Sequence, residues 1–423
     1  MANRDTIREL IIENQKFVST AKFCKRQYEF EDSLNYVLVG LRRAGKSYLM
    51  FQQIAHLLGS GHAIDEILYI NFEDDRLGEL SLADLDLIKT TYEAMFDCRP
   101  IFFLDEIQII TGWEKFARRL ADQKYRVYIT GSNAKMLSAE IATTLGGRYM
   151  IKNVYPFSFS EYLLANGVNM NEKNALYAHK NDIQKLFEQY FKFGGLPETI
   201  NVQDKRSWLS NLFNKIFFGD MVSRYSVRND NALRMLTRKL AESVKQPTSY
   251  TRLANIASTA GKKISTDTAI DYVRYMCESW LILPMENICG KLAERSSKHK
   301  YYFVDNGLIS LFLLDPNTNL LENIVAIELY KQYGTNVYFY LSGVEVDFYI
   351  PEQQTAIQVA YSVADIETRK REVDALLKTS EQVEIKDMYI ITKDEEELLE
   401  VNDVQIHIVP IWKWLLRAQI EQS

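Results

Sequence analysis

Residues 40–47 read Gly40-Leu41-Arg42-Arg43-Ala44-Gly45-Lys46-Ser47, the spacing G-x-x-x-x-G-K-S. Glycines at both ends let a chain turn tightly enough for successive backbone N–H groups to face one anion. A helix starting at Lys46 would add its unpaired N–H groups and the positive end of its dipole. In such a loop the Lys46 ammonium meets the β and γ phosphates of a nucleotide, and the Ser47 hydroxyl meets Mg²⁺. Counting the next residue, Tyr48, the run from Gly40 to Tyr48 is the candidate nucleotide-binding segment. Arg42 and Arg43 lie inside it with no direction assigned by sequence.

A second element ends in paired acids, Ile101-Phe-Phe-Leu-Asp105-Glu106. An apolar strand of this kind is buried, and its carboxyl end is where open α/β sheets bind ligands. Asp105 is the candidate to support the metal. Glu106 is the candidate to polarise an attacking water. A third run, Val127-Tyr-Ile-Thr130-Gly131-Ser132-Asn133, ends in small polar side chains. Ser132 or Asn133 would hold the water, or would cap the following helix. Arg148, in Gly146-Gly147-Arg148, would bring positive charge to a transferring phosphate in its own chain or a neighbour's, or lie on the surface.

Elements alternating in the right order would position these residues. Strands are expected at Tyr36–Val39, Ile67–Asn71, Ile101–Leu104 and Val127–Thr130. Helices are expected over 5–32, from about Lys46 to Leu58, and at Leu82–Met95 and Trp113–Asp122. That alternation predicts an α/β fold, a parallel sheet with helices on both faces. After Pro156 the pattern turns helical (Phe159–Ala165, Asp182–Phe193, Arg206–Val222), a connector over 156–231. Residues 232–299 follow the order of a winged helix. Residues 300–423 mix strands and helices as a separate α/β domain whose first strand is Tyr301–Val304.

The length of 423 residues exceeds one ordinary core, and the composition, 47% hydrophobic and 25% charged, is that of a folded soluble chain. No apolar run is long enough for a bilayer, and no apolar core marks a leader at the amino end. The scattered Cys24, Cys98, Cys277 and Cys289 have no metal spacing, which fits a reducing cytoplasm. Charge is unevenly spread. Residues 1–231 are balanced, 232–300 hold 12 basic and 6 acidic residues, and 301–423 hold 9 basic and 21 acidic. The middle segment could therefore meet DNA or protein, while the last would repel a nucleic-acid backbone.

Taken in order, Gly40–Ser47, Phe102–Gln108, Thr130-Gly-Ser132, Gly146-Gly-Arg148, Pro156-Phe-Ser-Phe-Ser-Glu161, Gly194-Gly-Leu-Pro-Glu198, Tyr302-Phe-Val-Asp305-Asn-Gly-Leu308 and Glu345-Val-Asp347-Phe348 resemble the AAA-type P-loop ATPases of bacteria and archaea that carry a carboxyl-terminal domain of unknown function. The resemblance implies ATP with Mg²⁺, and a winged helix followed by a restriction-endonuclease-like fold. An active core of that last type needs Asp, then Glu-x-Lys, on adjacent strands. Here Asp347 and Glu328 are the acids, but Gln358 stands at the Glu place and Ala360 at the Lys place, so the domain reads as an inactive nuclease. The chain thus reads as an ATP hydrolase that rearranges its carboxyl-terminal domains around a protein or nucleic-acid partner, with a homo-oligomer open. A nucleotide switch without turnover and an ATP-assisted nuclease are the alternatives.

Overall fold

A computed structural model describes residues 3–78, 80–132, 139–171, 174–260, 263–291, 295 and 298–417. The chain folds as two units, Met1–Tyr155 and Pro156–Ser423.

In the first unit five parallel strands stand in the order β2-β3-β4-β1-β5. They are β1 (Asn35–Val39), β2 (Ile67–Asn71), β3 (Ile101–Asp105), β4 (Val127–Gly131) and β5 (Tyr149–Asn153). The first four are apolar and almost wholly buried, as strands of a parallel sheet covered on both faces are. β5 was not expected: it is an edge strand with Met150 and Ile151 exposed, and its composition carries no buried run. The helices are α1 (Arg4–Thr20), α2 (Lys46–Gly59), α3 (Leu82–Met95), α4 (Trp113–Asp122) and α5 (Ala139–Leu145). α4 shows why the pattern is helical: Trp113, Phe116, Ala117, Leu120 and Ala121 are buried at helical spacing. The helix expected over 5–32 ends at Thr20. Residues 21–34 run without helix, held in part by side chains: Gln52 accepts from the Arg26 N–H at 2.7 Å and donates to the Arg26 carbonyl at 2.9 Å.

The second unit holds two sheets. One orders β6-β8-β7, from β6 (Thr248–Ser249), β7 (Ile282–Glu286) and β8 (Lys298–Phe303), beside helices Asp230–Glu242, Tyr250–Ala257 and Thr266–Glu278. The strand expected to open the last domain is β8. It pairs antiparallel with β7, so a boundary at 299/300 would cut it in two. The other sheet orders β13-β14-β12-β11-β10-β9. It comprises β9 (Tyr338–Leu341), β10 (Glu345–Ile350), β11 (Thr355–Val359), β12 (Asp387–Thr392), β13 (Glu397–Val401) and β14 (Val404–Pro410). β9, β10 and β11 are antiparallel, and β11, β12 and β14 parallel. Helices Asn317–Tyr333 and Ile366–Ser380 precede β9 and β12. The single helix expected over 206–222 is instead Lys205–Lys215 followed by a wide π turn, Ile216–Ser223.

Two of the sequence marks are architectural. The buried Asp305 carboxylate accepts the N–H groups of Gly195 and Gly307, each at 2.8 Å. A Cβ on Gly195 would lie 2.3 Å from the Phe157 carbonyl oxygen, and one on Gly194 would lie 2.1 Å from Asp305. Gly-Gly-Leu-Pro and Val-Asp-Asn-Gly are thus the two halves of one clasp. Burial raises the Asp305 carboxyl to about 6 despite the backbone donors.

Candidate functional site

All five strands of this sheet point their carboxyl ends the same way, and the loops that leave β1, β3 and β4 carry the candidate residues. Gly40 lies so close to the exit of β5 that a Cβ would sit 2.1 Å from the Val154 carbonyl oxygen. Gly45 caps α2 in the left-handed region, φ 96°. Leu41 and Ala44 are fully buried. Arg42 pairs with Glu73 at 3.1 Å, and Tyr48 is exposed against Phe51. Arg43 is held at φ 64°.

The Lys46 side chain is buried and folds back over the loop. Its ammonium donates to the carbonyls of Gly40 and Leu41, both at 3.1 Å, and stands 3.8 Å from Glu106 Oε1. The Asp105 carboxylate, with the Ser47 hydroxyl near it, accepts from Tyr69 at 2.8 Å and from Thr130. Burial raises the Asp105 carboxyl above its ordinary value. These residues fit a magnesium ion carried in on nucleotide phosphates: a hydroxyl and a carboxylate stand near each other, with phosphate oxygens to complete the shell.

Glu106 sits at φ 55°, uncommon for a residue with a side chain. Its N–H is bound by the Thr130 hydroxyl at 2.9 Å, so Thr130 fixes both acids at once. Gln108 donates to Glu106 Oε2 at 2.5 Å and lies 3.5 Å from the hydroxyl of the buried Ser132. The structure therefore brings together Lys46, Ser47, Asp105, Glu106 and Ser132, with Thr130 and Gln108 as members that sequence reasoning left without a role. Asn133 lies outside the described residues. Arg148 is not brought to its own chain's site. Register pairs Asn35 with Tyr149, so Arg148 stands at the amino edge of the sheet. Five residues of strand, roughly 16 Å, separate that edge from the loop after β1. There Arg148 pairs with Asp122 at 2.6 Å.

A second cluster of charged groups lies in the second unit. The fully buried Lys300 of β8 meets Asp347 at 3.0 Å, Glu345 at 3.0 Å and Glu322 at 3.4 Å. Sequence reasoning took Glu328 as the helix acid; the helix presents Glu322 instead. Glu328, six residues on, points about 240° further round and accepts from Gln332 at 2.7 Å. Gln358 spends both ends of its amide on backbone, accepting from the Asp347 N–H at 2.9 Å and donating to the Glu345 carbonyl at 3.0 Å. The amine in this cluster, that of Lys300, comes from β8 and not from position 360. Among the described residues no group of three or more His, Cys, Asp or Glu has the arrangement of a metal site, and no helix is long and apolar enough to cross a membrane.

Residues 33–163 match an AAA domain, and residues 184–318 match a domain of unknown function. An uncharacterized protein of Methanocaldococcus jannaschii is 32% identical over 425 residues, 96% of this chain and 94% of its own length. An uncharacterized protein of Haemophilus influenzae is 30% identical over 416 residues, 94% of this chain and 99% of its own. Among solved structures, the Walker-type ATPase PABY2304 of Pyrococcus abyssi aligns with a TM-score of 0.42 and 13% identity over 74% of this chain and 96% of that one. The chain belongs to the same family as these archaeal and bacterial relatives, with an AAA-type P-loop ATPase domain in its amino-terminal part.

Proposed function

We propose that the chain hydrolyses ATP with Mg²⁺ and uses the cycle to rearrange its carboxyl-terminal domains around a partner. The observation that carries this reading is the Glu106 carboxylate, 3.8 Å from the Lys46 ammonium and next in sequence to Asp105. Gly40, Gly45 and Lys46 bind the phosphates. Ser47 and Asp105 would hold magnesium, which would supply positive charge to offset that of the phosphates. Glu106, oriented by Gln108 and Thr130, takes the proton as water attacks the γ phosphorus and the bond to ADP breaks. Ser132 orients that water. Arg148, tied to Asp122 at the far edge, serves a neighbouring copy in a homo-oligomer. The segment from residue 232 through the end of β8 forms the winged helix, and the residues after β8 form the nuclease-like domain.

A protein partner is favoured over DNA by the helix Thr266–Glu278, which exposes Asp267 and Ile270 and leaves Asp271 half exposed beside Arg274. Carboxylates and an apolar side chain suit a protein face better than a phosphate backbone. Glu106→Gln tests the hydrolytic reading. It should keep ATP binding while slowing turnover roughly a hundredfold. Equal turnover in variant and parent would remove Glu106 from the mechanism and leave a nucleotide-dependent switch.

A further inference from the structure

Arg26 lies in the irregular segment before β1, and it is buried, 5% exposed. Its guanidinium donates from Nη1 to the Ala44 carbonyl at 3.1 Å and from Nη2 to the Tyr155 carbonyl at 2.9 Å. Ala44 is inside the phosphate loop, and Tyr155 is the last residue of the first unit. The backbone of Arg26 is clamped on both sides by Gln52, which belongs to α2, the helix that the loop opens. Its ring contact is Tyr28, whose centroid lies 5.1 Å from the guanidinium carbon. A buried guanidinium is costly unless its donors are used. Here two of them are used on backbone carbonyls, those of Ala44 and Tyr155.

Geometry gives one of those bonds a consequence. The peptide unit from the Ala44 carbonyl to the Gly45 N–H is trans and planar, so the carbonyl and the N–H point in opposite directions. Fixing the Ala44 carbonyl on Arg26 turns the Gly45 N–H the other way. Gly45, at φ 96°, has no side chain of its own to fix that orientation. We propose that Arg26 is a positioning residue of the nucleotide site: by holding the Ala44 carbonyl it aims the Gly45 N–H at the phosphates. The same guanidinium ties the loop to the strand exit at Tyr155. Close packing of Gly40 against the Val154 carbonyl fixes the loop's other end on that exit. Donors set before the ligand arrives need no reorganisation when it binds.

This inference rests on the phosphate-loop reading. Its test compares Arg26→Met and Arg26→Lys with Lys46→Ala in the full chain, by calorimetric titration with Mg-ATP and Mg-ADP and by thermal melting without nucleotide. Arg26→Met, similar in length and without donors, should weaken both nucleotides about tenfold per correctly folded molecule. Arg26→Lys keeps one donor to the loop and should recover part of that loss. A residue that only stabilises the fold would lower the melting point and leave the dissociation constant of the folded fraction unchanged. Should Arg26→Met fail to fold, Gln52→Leu, which releases the Arg26 backbone, should raise the dissociation constants in the same direction. Affinity within twofold of the parent in Arg26→Lys and in either Arg26→Met or Gln52→Leu, with Lys46→Ala non-binding, overturns the role of Arg26 alone. Unchanged affinity in Lys46→Ala overturns the phosphate loop itself.

Discussion

Lys46 and Lys300 are both buried lysines beside carboxylates, and the two units hold them in opposite ways. Lys46 rests on two neutral carbonyls, with Glu106 at 3.8 Å. A phosphate can replace carbonyl oxygens with gain, because an ionised acceptor makes the stronger bond. Lys300 is enclosed by Glu322, Glu345 and Asp347. Burial alone would lower its proton affinity, but the three carboxylates outweigh burial and raise it. One ammonium has charge to offer a ligand; the other is already spent inside the protein. The difference separates a site from a structural join, although residue types alone would make both look functional.

The comparison breaks most visibly if each lysine is removed. Lys300→Met should destabilise the second unit by about 3–5 kcal/mol, because buried carboxylates lose their counter-charge. Chemical denaturation would read this, and a loss below about 1 kcal/mol would mean that Lys300 is no join. Lys46→Ala should leave stability near the parent value and weaken ATP about a hundredfold, equivalent to roughly 2.7 kcal/mol. Undiminished binding in calorimetry would cancel the contrast from the other side.

Much of this was legible beforehand, and what was not has a common cause. The strands β1 to β4 are continuous apolar runs, and α4 repeats its buried positions at helical spacing, so local pattern fixed them. Lys46, Ser47, Asp105 and Glu106 follow from spacing on those elements. Arg26, Thr130 and Lys300 act through partners far away in sequence, while Gln108 sits two residues from Glu106 in a loop whose turn the sequence does not announce. Arg26 reaches Tyr155 across 129 positions and Lys300 reaches Asp347 across 47. No local pattern encodes such contacts. β8 was misassigned for the same reason: its apolar residues mark a strand, but only pairing with β7 says which sheet it joins. Glu328 is the helix acid that the sequence suggests, and nothing in the sequence says that the face turned toward Asp347 carries Glu322 instead.

A smaller effect sharpens the description of the Lys300 join. Glu322 is wholly buried and its Oε2 has no hydrogen-bond partner. Burial, then the nearby Asp347, pushes its carboxyl up to about 7, against the opposing pull of Lys300, Lys245 and the Tyr302 hydroxyl. A carboxyl raised in the folded state binds more protons folded than unfolded. Its contribution is present below the unfolded value of about 4.5 and is lost as pH rises through about 7. The second unit should therefore lose stability as pH rises from about 4.5 to about 7, and Glu322→Gln should flatten that slope. Identical slopes in melting curves of parent and variant would show that Glu322 does not titrate there.

The smallest expected effect is none at all, at the phosphodiester. Water attack on a phosphodiester needs a metal held by anionic oxygens and a group to handle the proton. Asp347 Oδ2 already accepts the Val359 N–H at 3.0 Å, and Oδ1 accepts from Lys300. Gln358 has both ends of its amide on backbone. An ammonium bound to three carboxylates can approach a metal only by giving up those pairs. The excess of acidic over basic residues after Lys300 opposes a nucleic-acid backbone as well, most of all at low salt. The full chain should therefore cut neither single- nor double-stranded DNA with Mg²⁺ or Mn²⁺, with or without ATP. Asp347→Ala should leave ATP turnover at the parent rate, since none of the residues assigned to hydrolysis belongs to the second unit. Metal-dependent cleavage that disappears in Asp347→Ala would reverse this reading. It would mean that Lys300 leaves its carboxylates to a metal and becomes the amine that Ala360 lacks, and the second lysine would then resemble the first.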